Sequence, residues 1–142
     1  MNPILNALQA LVIKRGVGLG GLIHEQRLLA LAVAAQALRP GTQATEAQAN
    51  AALQQSLAGP AAFLSCDHVE LRRWLIDTGW WQRDGYGRCY QRVPFDALRE
   101  ELRPLAEALA GVELASWVEA CRAAVETARE ARRQAWQARR AA

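Results

Sequence analysis

A helix that runs straight into a two-stranded hairpin is the feature of this sequence that most restricts its fold. Asp67 can cap that helix and Gly79 can end it in a left-handed backbone conformation, so the helix is predicted over residues 68–78. Two short strands follow, over residues 80–83 and 88–93, and the Asp-Gly-Tyr-Gly sequence between them is a strong turn signal. A helix and hairpin in this order are typical of the recognition helix and wing of a winged helix-turn-helix protein.

The rest of the chain is predicted to be mainly α-helical. Strand-forming residues are scarce, whereas Ala, Leu, Arg, Glu and Gln, which lose little on entering a helix, dominate the sequence. A length of 142 residues suits one domain with a terminal extension. We therefore expect a winged-helix core of three helices and a two-stranded wing, flanked by an N-terminal helix and by a C-terminal helical hairpin or dimerisation helix.

Three more helices are predicted before the helix over residues 68–78. The first begins at Asn2-Pro3 and ends before Gly16, which opens a glycine-rich connector. The second, over residues 22–38, is so apolar that we expect it at the centre of the core. A capping box at Thr45-Glu46-Ala47-Gln48 begins another short helix, which is predicted to end near Leu57.

The chain is divided into three predicted segments. Residues 1–21 hold the first helix and the connector, and residues 22–93 hold the winged-helix domain. Residues 94–142 are predicted to form further helices, in which apolar residues alternate at spacings of three and four. That spacing favours a helical hairpin or a homodimer seam through residues 94–128. Residues 129–142, with five arginines, are expected to form a frayed, solvated helical tail.

Charge and cysteine content indicate the compartment better than they indicate a function. The formal charge is +3, but 16 of the 17 basic residues are Arg, which suggests a GC-rich genome and weakens the inference of nucleic-acid binding. Cys66, Cys89 and Cys121 are an odd number on different predicted elements, so free thiols in the cytoplasm are expected. The most apolar window, residues 28–38, is too short to span a bilayer.

The predicted helix and wing carry residues suited to DNA contact. Arginines are expected to bind phosphates, and the histidine is expected to lie near the groove. The predicted contacts are His68, Arg72, Arg73, Arg83, Arg88 and Arg92. Against this interpretation, Asp67 and Glu70 at the helix start would repel a phosphate backbone, although both also serve as helix caps. A small DNA-binding protein, and within that class a transcriptional regulator, is the first functional hypothesis.

A non-catalytic protein-interaction module is the alternative hypothesis. The helix over residues 68–78 is apolar on two faces, so its outer face offers Val69 and Ile76 to a partner. Trp80 and Trp81 are predicted to point to opposite sides of a strand, which would leave one of them exposed for the same purpose.

No catalytic, cofactor or metal site is predicted. Paired carboxylates, a nucleophile with its base, and a phosphate loop in credible context are all lacking, so an enzyme is not expected. Cys66 and His68 are two residues apart, and Cys89 lies on the wing that follows the same helix, so whether these three side chains converge in space on a metal stays open from the sequence.

Residues 22–93 contain two patterns, T-E-x-x-x-N-x-x-L and L-R-R-x-L-x-D-x-G followed by a hairpin. They are carried by Thr45-Glu46, Asn50, Leu53, Leu71-Arg72-Arg73, Leu75, Asp77, Gly79, Arg83 and Tyr90. With these patterns this part, about half of the chain, resembles the bacterial domain-of-unknown-function family 2087. The resemblance implies a winged-helix fold, which is sometimes joined to helix-turn-helix regulators, and it implies no established activity.

The sequence departs from the family pattern at several positions. Ala49 and Ala52 stand where larger aliphatic residues are usual, which predicts a lightly packed helix, and Trp80-Trp81 replaces aliphatic residues at the start of the wing. The link over residues 59–66 is longer than usual, and the region after Pro94 has no counterpart in the pattern.

Overall fold

The computed structural model describes residues 2–86 and 88–142, and these fold around one hydrophobic core. The helices are α1 (Pro3–Val12), α2 (His24–Ala35), α3 (Glu46–Leu57), α4 (His68–Thr78), α5 (Arg103–Leu109) and α6 (Leu114–Ala141). The strands are β1 (Ala44–Thr45), β2 (Trp81–Arg83) and β3 (Cys89–Arg92). The mainly α-helical fold predicted from the sequence is confirmed.

Helix α2 is the centre of the core. Its residues Leu28 to Ala35 are all buried, because α1, α3, α4 and α5 pack around it. Burying a leucine side chain contributes roughly 1.5–3 kcal/mol, so a helix apolar on every side is most stable when other helices surround it. The helix is shorter than the predicted span of residues 22–38, because Ile23 has an extended backbone and Gln36 is already the C-cap residue.

The three strands form one antiparallel sheet in the order β1-β3-β2. Trp81 lies opposite Arg92, and Ala44 lies opposite Tyr90. The two-stranded hairpin was predicted, whereas β1 is an addition of two residues, the second of which, Thr45, is also the N-cap of α3. Elements α2, β1, α3, α4, β2 and β3 follow one another as in a winged helix, with β2 and β3 as the wing. Gly87, the last residue of the predicted turn, lies outside the described residues.

The helix before the wing begins and ends as the sequence predicts. Asp67 Oδ1 accepts a hydrogen bond from the Glu70 backbone N–H at 2.8 Å. Gly79 ends α4 with φ at +88°, a left-handed conformation that other residues rarely adopt. The capping box of α3 is also present, since the Gln48 N–H donates to Thr45 Oγ1 and the Thr45 N–H donates to Gln48 Oε1. Local capping therefore fixes the two helices that precede the wing.

Both tryptophans at the start of the wing are buried, which corrects the prediction that one of them meets a partner. Trp81 donates its indole N–H to the Ala35 carbonyl at 3.1 Å, and Trp80 is 2% exposed. The strand begins at Trp81, so Trp80 still belongs to the turn after Gly79. Strand alternation therefore does not separate the two rings, and the core covers both.

The link between α3 and α4 packs on the core, as its apolar sequence predicts. Ala61, Phe63 and Leu64 are buried. Val17, in the connector after α1, donates its N–H to the Phe63 carbonyl at 2.9 Å and accepts from the Ser65 N–H at 2.8 Å. The connector is thereby fastened to this link by backbone hydrogen bonds.

Directly after Pro94 the chain does not form the α-helix that the sequence predicts there. Two single 3₁₀ turns, Phe95–Ala97 and Glu100–Leu102, come first, and α5 starts only at Arg103. Pro104 fits there because the first helical turn has no need of its missing N–H. In the part of the chain that the structure describes, no helix combines the length and apolarity needed to cross a membrane.

Helix α6 buries the first part of its apolar seam within the chain itself. Leu114, Val118 and Cys121 belong to the core, and α6 packs against α1. These seam residues are therefore unavailable to a second subunit. The helix continues to Ala141, so the predicted tail is helical nearly to the end of the chain.

Candidate nucleic-acid interface

A groove of about 240 Å³ separates the outer face of α4 from the wing. We call it the wing groove. The α4 residues along it are Val69, Arg72, Arg73, Ile76 and Asp77, and the strands contribute Arg83 and Tyr90. The sequence predicts α4 as the recognition helix, so the predicted DNA contacts are expected to lie along this groove.

Arg72 lines the wing groove and joins α4 to neighbouring elements of the fold. Its guanidinium donates to the Asn50 side-chain carbonyl and lies 3.3 Å from the Glu46 carboxylate, both on α3. It also sits 5.4 Å above the centre of the Tyr90 ring, within the range of a cation–π contact. Its charge is already paired, so Arg72 holds α4 to α3 and β3 and is poorly placed to take up a phosphate.

His68 and Arg92 do not line the wing groove. His68 Nδ1 lies 3.4 Å from the side-chain nitrogen of Gln54. Arg92 is half-buried and donates to the Leu38 carbonyl at 3.5 Å. Burial lowers the pKa of the Arg92 guanidinium, because desolvation disfavours the charged form. These two predicted contacts therefore lie apart from the surface that Arg73 and Arg83 share.

Arg73, Arg83 and Arg88 are the three predicted contacts with exposed side chains. Arg73 and Arg83 both border the wing groove, one from α4 and the other from β2. Arg88 lies at the wing tip, 5.5 Å from the centre of the Tyr86 ring, which is 84% exposed. The wing and the helix together therefore present three exposed guanidinium groups and one exposed aromatic ring.

The charge of residues 22–93 as a whole is nearly balanced. Residues 22–93 contain seven arginines and six carboxylates. Asp77 borders the groove itself, and Asp67 and Glu70 lie exposed at the start of α4. Binding of a phosphate backbone here would thus depend on the local placement of Arg73 and Arg83 rather than on a broad positive field.

The apolar surface proposed for a protein partner is smaller than predicted. Val69 is 41% exposed and Ile76 is partly buried, and both border the wing groove. Trp80 and Trp81 contribute nothing to this surface, since both are buried. What remains is one apolar strip on α4.

A second basic surface lies between the end of α1 and the middle of α6. It is a cleft of about 600 Å³ that includes the four cations Lys14, Arg15, Arg122 and Arg129. We call it the basic cleft. The sequence does not predict that these cations lie close together. Lys14 and Arg122 are far apart along the chain and come together only through the packing of α1 on α6.

Cys66, directly before the N-cap of α4, offers no reactive thiolate. Burial, together with the nearby Glu70 and Asp67 carboxylates, raises the pKa of the Cys66 thiol to about 11. Cys66 therefore stays protonated at neutral pH and is a poor nucleophile. Within residues 2–86 and 88–142 there is no group of three or more His, Cys, Asp or Glu side chains that could hold a metal ion.

Comparison with known proteins identifies one family. Residues 23–92 match the bacterial domain-of-unknown-function family 2087, described as an uncharacterized protein conserved in bacteria. No curated protein and no solved structure matches the chain significantly. The matched residues run from the N-cap of α2 to the end of β3, so they contain the winged-helix elements and leave out α1, α5 and α6.

Proposed function

The chain belongs to the bacterial domain-of-unknown-function family 2087 through residues 23–92, and on that premise we propose that it is a small DNA-binding protein. In this proposal α4 and the wing contact the sugar-phosphate backbone of a duplex. A role in transcription regulation would follow from such binding. The observation that carries the proposal is the exposure of Arg73 and Arg83 on opposite borders of the wing groove, with Arg88 at the wing tip.

The wing groove favours backbone contact over base reading. Arginine presents a planar fork of donors that matches a phosphate, and three such groups are exposed at this surface. Base edges are usually read by Arg, Asn, Gln, Ser or Thr, whereas the middle of this face of α4 holds Val69 and Ile76. We therefore expect affinity that depends strongly on salt and weakly on sequence.

Replacing Arg73, Arg83 and Arg88 together by glutamine should weaken DNA binding by roughly one to two orders of magnitude at low salt. Each lost phosphate contact removes about 0.9 from the slope of log affinity against log salt, so the slope should fall by about 2.7. Fluorescence anisotropy of a labelled duplex of mixed sequence, titrated at several salt concentrations, measures both quantities.

The control for this variant is Arg39→Gln. Arg39 is also exposed, but it follows α2 and lies outside the wing groove, so its loss should leave the slope nearly unchanged. A triple variant that binds with the affinity and slope of the unaltered protein would contradict the proposal. So would a loss no larger, per charge removed, than that caused by Arg39→Gln.

A protein-interaction module is the second candidate, and the exposure of Val69 favours it. A partly exposed valine beside Ile76 gives an apolar strip with charged borders, which suits a small protein contact. Val69→Asp should then abolish capture of a partner by the tagged protein while the thermal midpoint stays unchanged. Ile23→Asp is the matched control, since Ile23 is 64% exposed and lies outside the wing groove. Equal capture by both variants would count against this candidate.

We also propose a homodimer through residues 94–128. The burial of the apolar seam of α6 limits the side chains that such a dimer can use. Leu114, Val118 and Cys121 are occupied within the chain, so a second copy would have to use other side chains of α6 or α5. Sedimentation equilibrium of the full chain measures whether such a dimer forms.

A further inference from the structure

The last part of α6 extends away from the core. Every residue from Glu126 to Ala142 is exposed, although the helix itself runs to Ala141. We call residues 126–141 the arm. At about 1.5 Å per residue the arm is roughly 24 Å long. The arm buries no residue against the core, and its ion pairs, Arg129–Glu126 and Arg133–Glu130, lie within α6, so its side chains are exposed to contacts outside the chain.

The five arginines of the arm share one side of the helix. At about 100° per residue, all of them lie within about 60° of Trp136. They are Arg129, Arg132, Arg133, Arg139 and Arg140. Trp136 is 51% exposed, and the Arg140 guanidinium lies 4.8 Å from the centre of its ring. The small alanines of the arm lie to the other side, so the arm has one basic and aromatic face.

This face continues the buried face of the first half of α6. Eighteen residues make about five complete helical turns, so residues 18 apart point the same way. Each of the three buried residues of α6 is followed at that distance by a residue of the basic face: Leu114 by Arg132, Val118 by Trp136, and Cys121 by Arg139. The basic face of the arm is therefore directed towards the side of α6 on which the body of the protein lies.

The basic cleft lies where the arm leaves the body. Lys14 and Arg15 stand at the end of α1, and Arg122 and Arg129 face them from α6. Arg122 is fixed by hydrogen bonds to two backbone carbonyls, Val12 at 3.4 Å and Gly59 at 3.2 Å. The one carboxylate along the cleft, Glu126, pairs with Arg129 at 3.2 Å. The cleft and the arm thus form one continuous row of cations.

This row accounts for the net positive charge of the protein. Residues 122–142 contain six arginines and two glutamates, and Lys14 and Arg15 raise the cations to eight. The surplus of six exceeds the +3 of the entire chain, so the remainder of the molecule is net acidic. A net acidic body with one basic edge will orient a polyanion towards that edge.

We propose that the arm and the basic cleft bind the phosphate backbone of a nucleic acid. From Arg122 to Arg140 the arginines extend over about 27 Å of helix at 1.5 Å per residue. With phosphates about 3.4 Å apart along each strand of a duplex, this length matches about eight base pairs. The guanidinium groups suit bidentate contact with phosphates, and the exposed Trp136 ring can stack on an unpaired base.

The arm is less suited to a membrane surface. An interfacial helix buries a broad apolar face of Leu, Phe and Trp in the acyl region. The arm has one large apolar side chain, Trp136, and that residue lies in the middle of the arginines rather than opposite them. Binding to anionic vesicles is therefore the competing outcome that the test must separate from nucleic-acid binding.

The test changes the five arm arginines to glutamine in the full chain. Glutamine has nearly the helix propensity of arginine, so circular dichroism should show unchanged helix content. The probes are a labelled duplex of mixed sequence and a labelled single strand of the same length. We expect the salt slope on duplex to fall by about 4.5, and the affinity at low salt to fall by roughly two orders of magnitude or more. Replacing the same arginines by lysine should restore most of the binding.

Two further measurements keep this inference separate from the wing groove. The triple variant of Arg73, Arg83 and Arg88 tests the proposed function, and loss of binding only in that variant would overturn the arm inference. Loss only in the arm variant would support the arm and overturn the proposed role of the wing. If the arm variant keeps its nucleic-acid affinity but loses binding to vesicles of phosphatidylcholine and phosphatidylglycerol, the arm serves a membrane and the inference is wrong. Trp136→Ala should weaken the single-strand complex more than the duplex complex, and equal effects would exclude stacking.

Discussion

Replacing Trp81 by alanine is expected to lower the free energy of unfolding by about 3–5 kcal/mol. The side chain is 1% exposed, and its loss leaves a large cavity beneath the sheet. The Ala35 carbonyl also loses its indole donor in a buried place, which adds the cost of an unsatisfied polar group. Urea denaturation followed by far-ultraviolet circular dichroism measures the change, and the slope of the transition should stay the same.

Trp136→Ala is the matched control for the Trp81 variant. Trp136 is half exposed on the arm and contributes nothing to the core, so its free energy of unfolding should change by less than about 0.5 kcal/mol. Equal stabilities for the two variants would mean that Trp81 is not packed in the core. The prediction that Trp81 contacts a partner would then regain support.

Removing residues 2–21 is expected to abolish cooperative folding of the remaining chain. Leu8, Leu11, Val12 and Leu19 are all buried in the shared core. At roughly 1.5–3 kcal/mol for each such side chain, their combined contribution rivals the 5–15 kcal/mol by which a typical domain is stable. The truncated chain also exposes α2 and loses the hydrogen bonds between Val17 and the link before α4. Thermal denaturation of the truncated protein measures the effect.

Removing residues 130–142 is the control for that truncation. These residues are all exposed, so the thermal midpoint should remain within a few degrees of that of the full chain, roughly the shift of 1 kcal/mol or less. A cooperative transition in the protein without residues 2–21, at a similar midpoint, would show that the predicted boundary near residue 21 is also a boundary of packing.

The elements with strong local signals were predicted well from the sequence. Helices α3 and α4 begin at the predicted capping residues Thr45 and Asp67, and α4 ends at Gly79. Each signal lies within about four residues of the backbone groups it satisfies, so it can be read without knowledge of the fold. The turn after α4 was recognised for the same reason, because glycine supplies the left-handed conformation there.

Features that depend on distant contacts were missed or misread. Strand β1 has two residues, and only its pairing with Tyr90 and Cys89 defines it. Arg72 looked like a free cation because its partners, Glu46 and Asn50, lie more than 20 residues earlier in the chain. Periodicity within a helix shows which side chains share a face, but it does not show which other helix supplies the opposite charge.

The basic cleft and the arm also depend on contacts between distant residues, which the sequence does not predict. The five arginines after residue 128 were visible in the sequence, and so was the apolar seam of Leu114, Val118 and Cys121. The relation between them needs the packing of α6 on α1, which determines which face of the helix meets the body. That packing also brings Lys14 beside Arg122, and no local pattern predicts their proximity.

In the arm, the residues that are exposed for binding are not the residues that stabilise the fold, whereas in the wing groove one residue does both. In the wing groove, a change at Arg72 alters both the binding surface and the brace between α3, α4 and β3. From Glu126 onwards, a substitution alters only what the surface offers to a partner, as long as the helix is kept. If the arm binds as we propose, its binding can therefore be altered residue by residue without compensating mutations in the core.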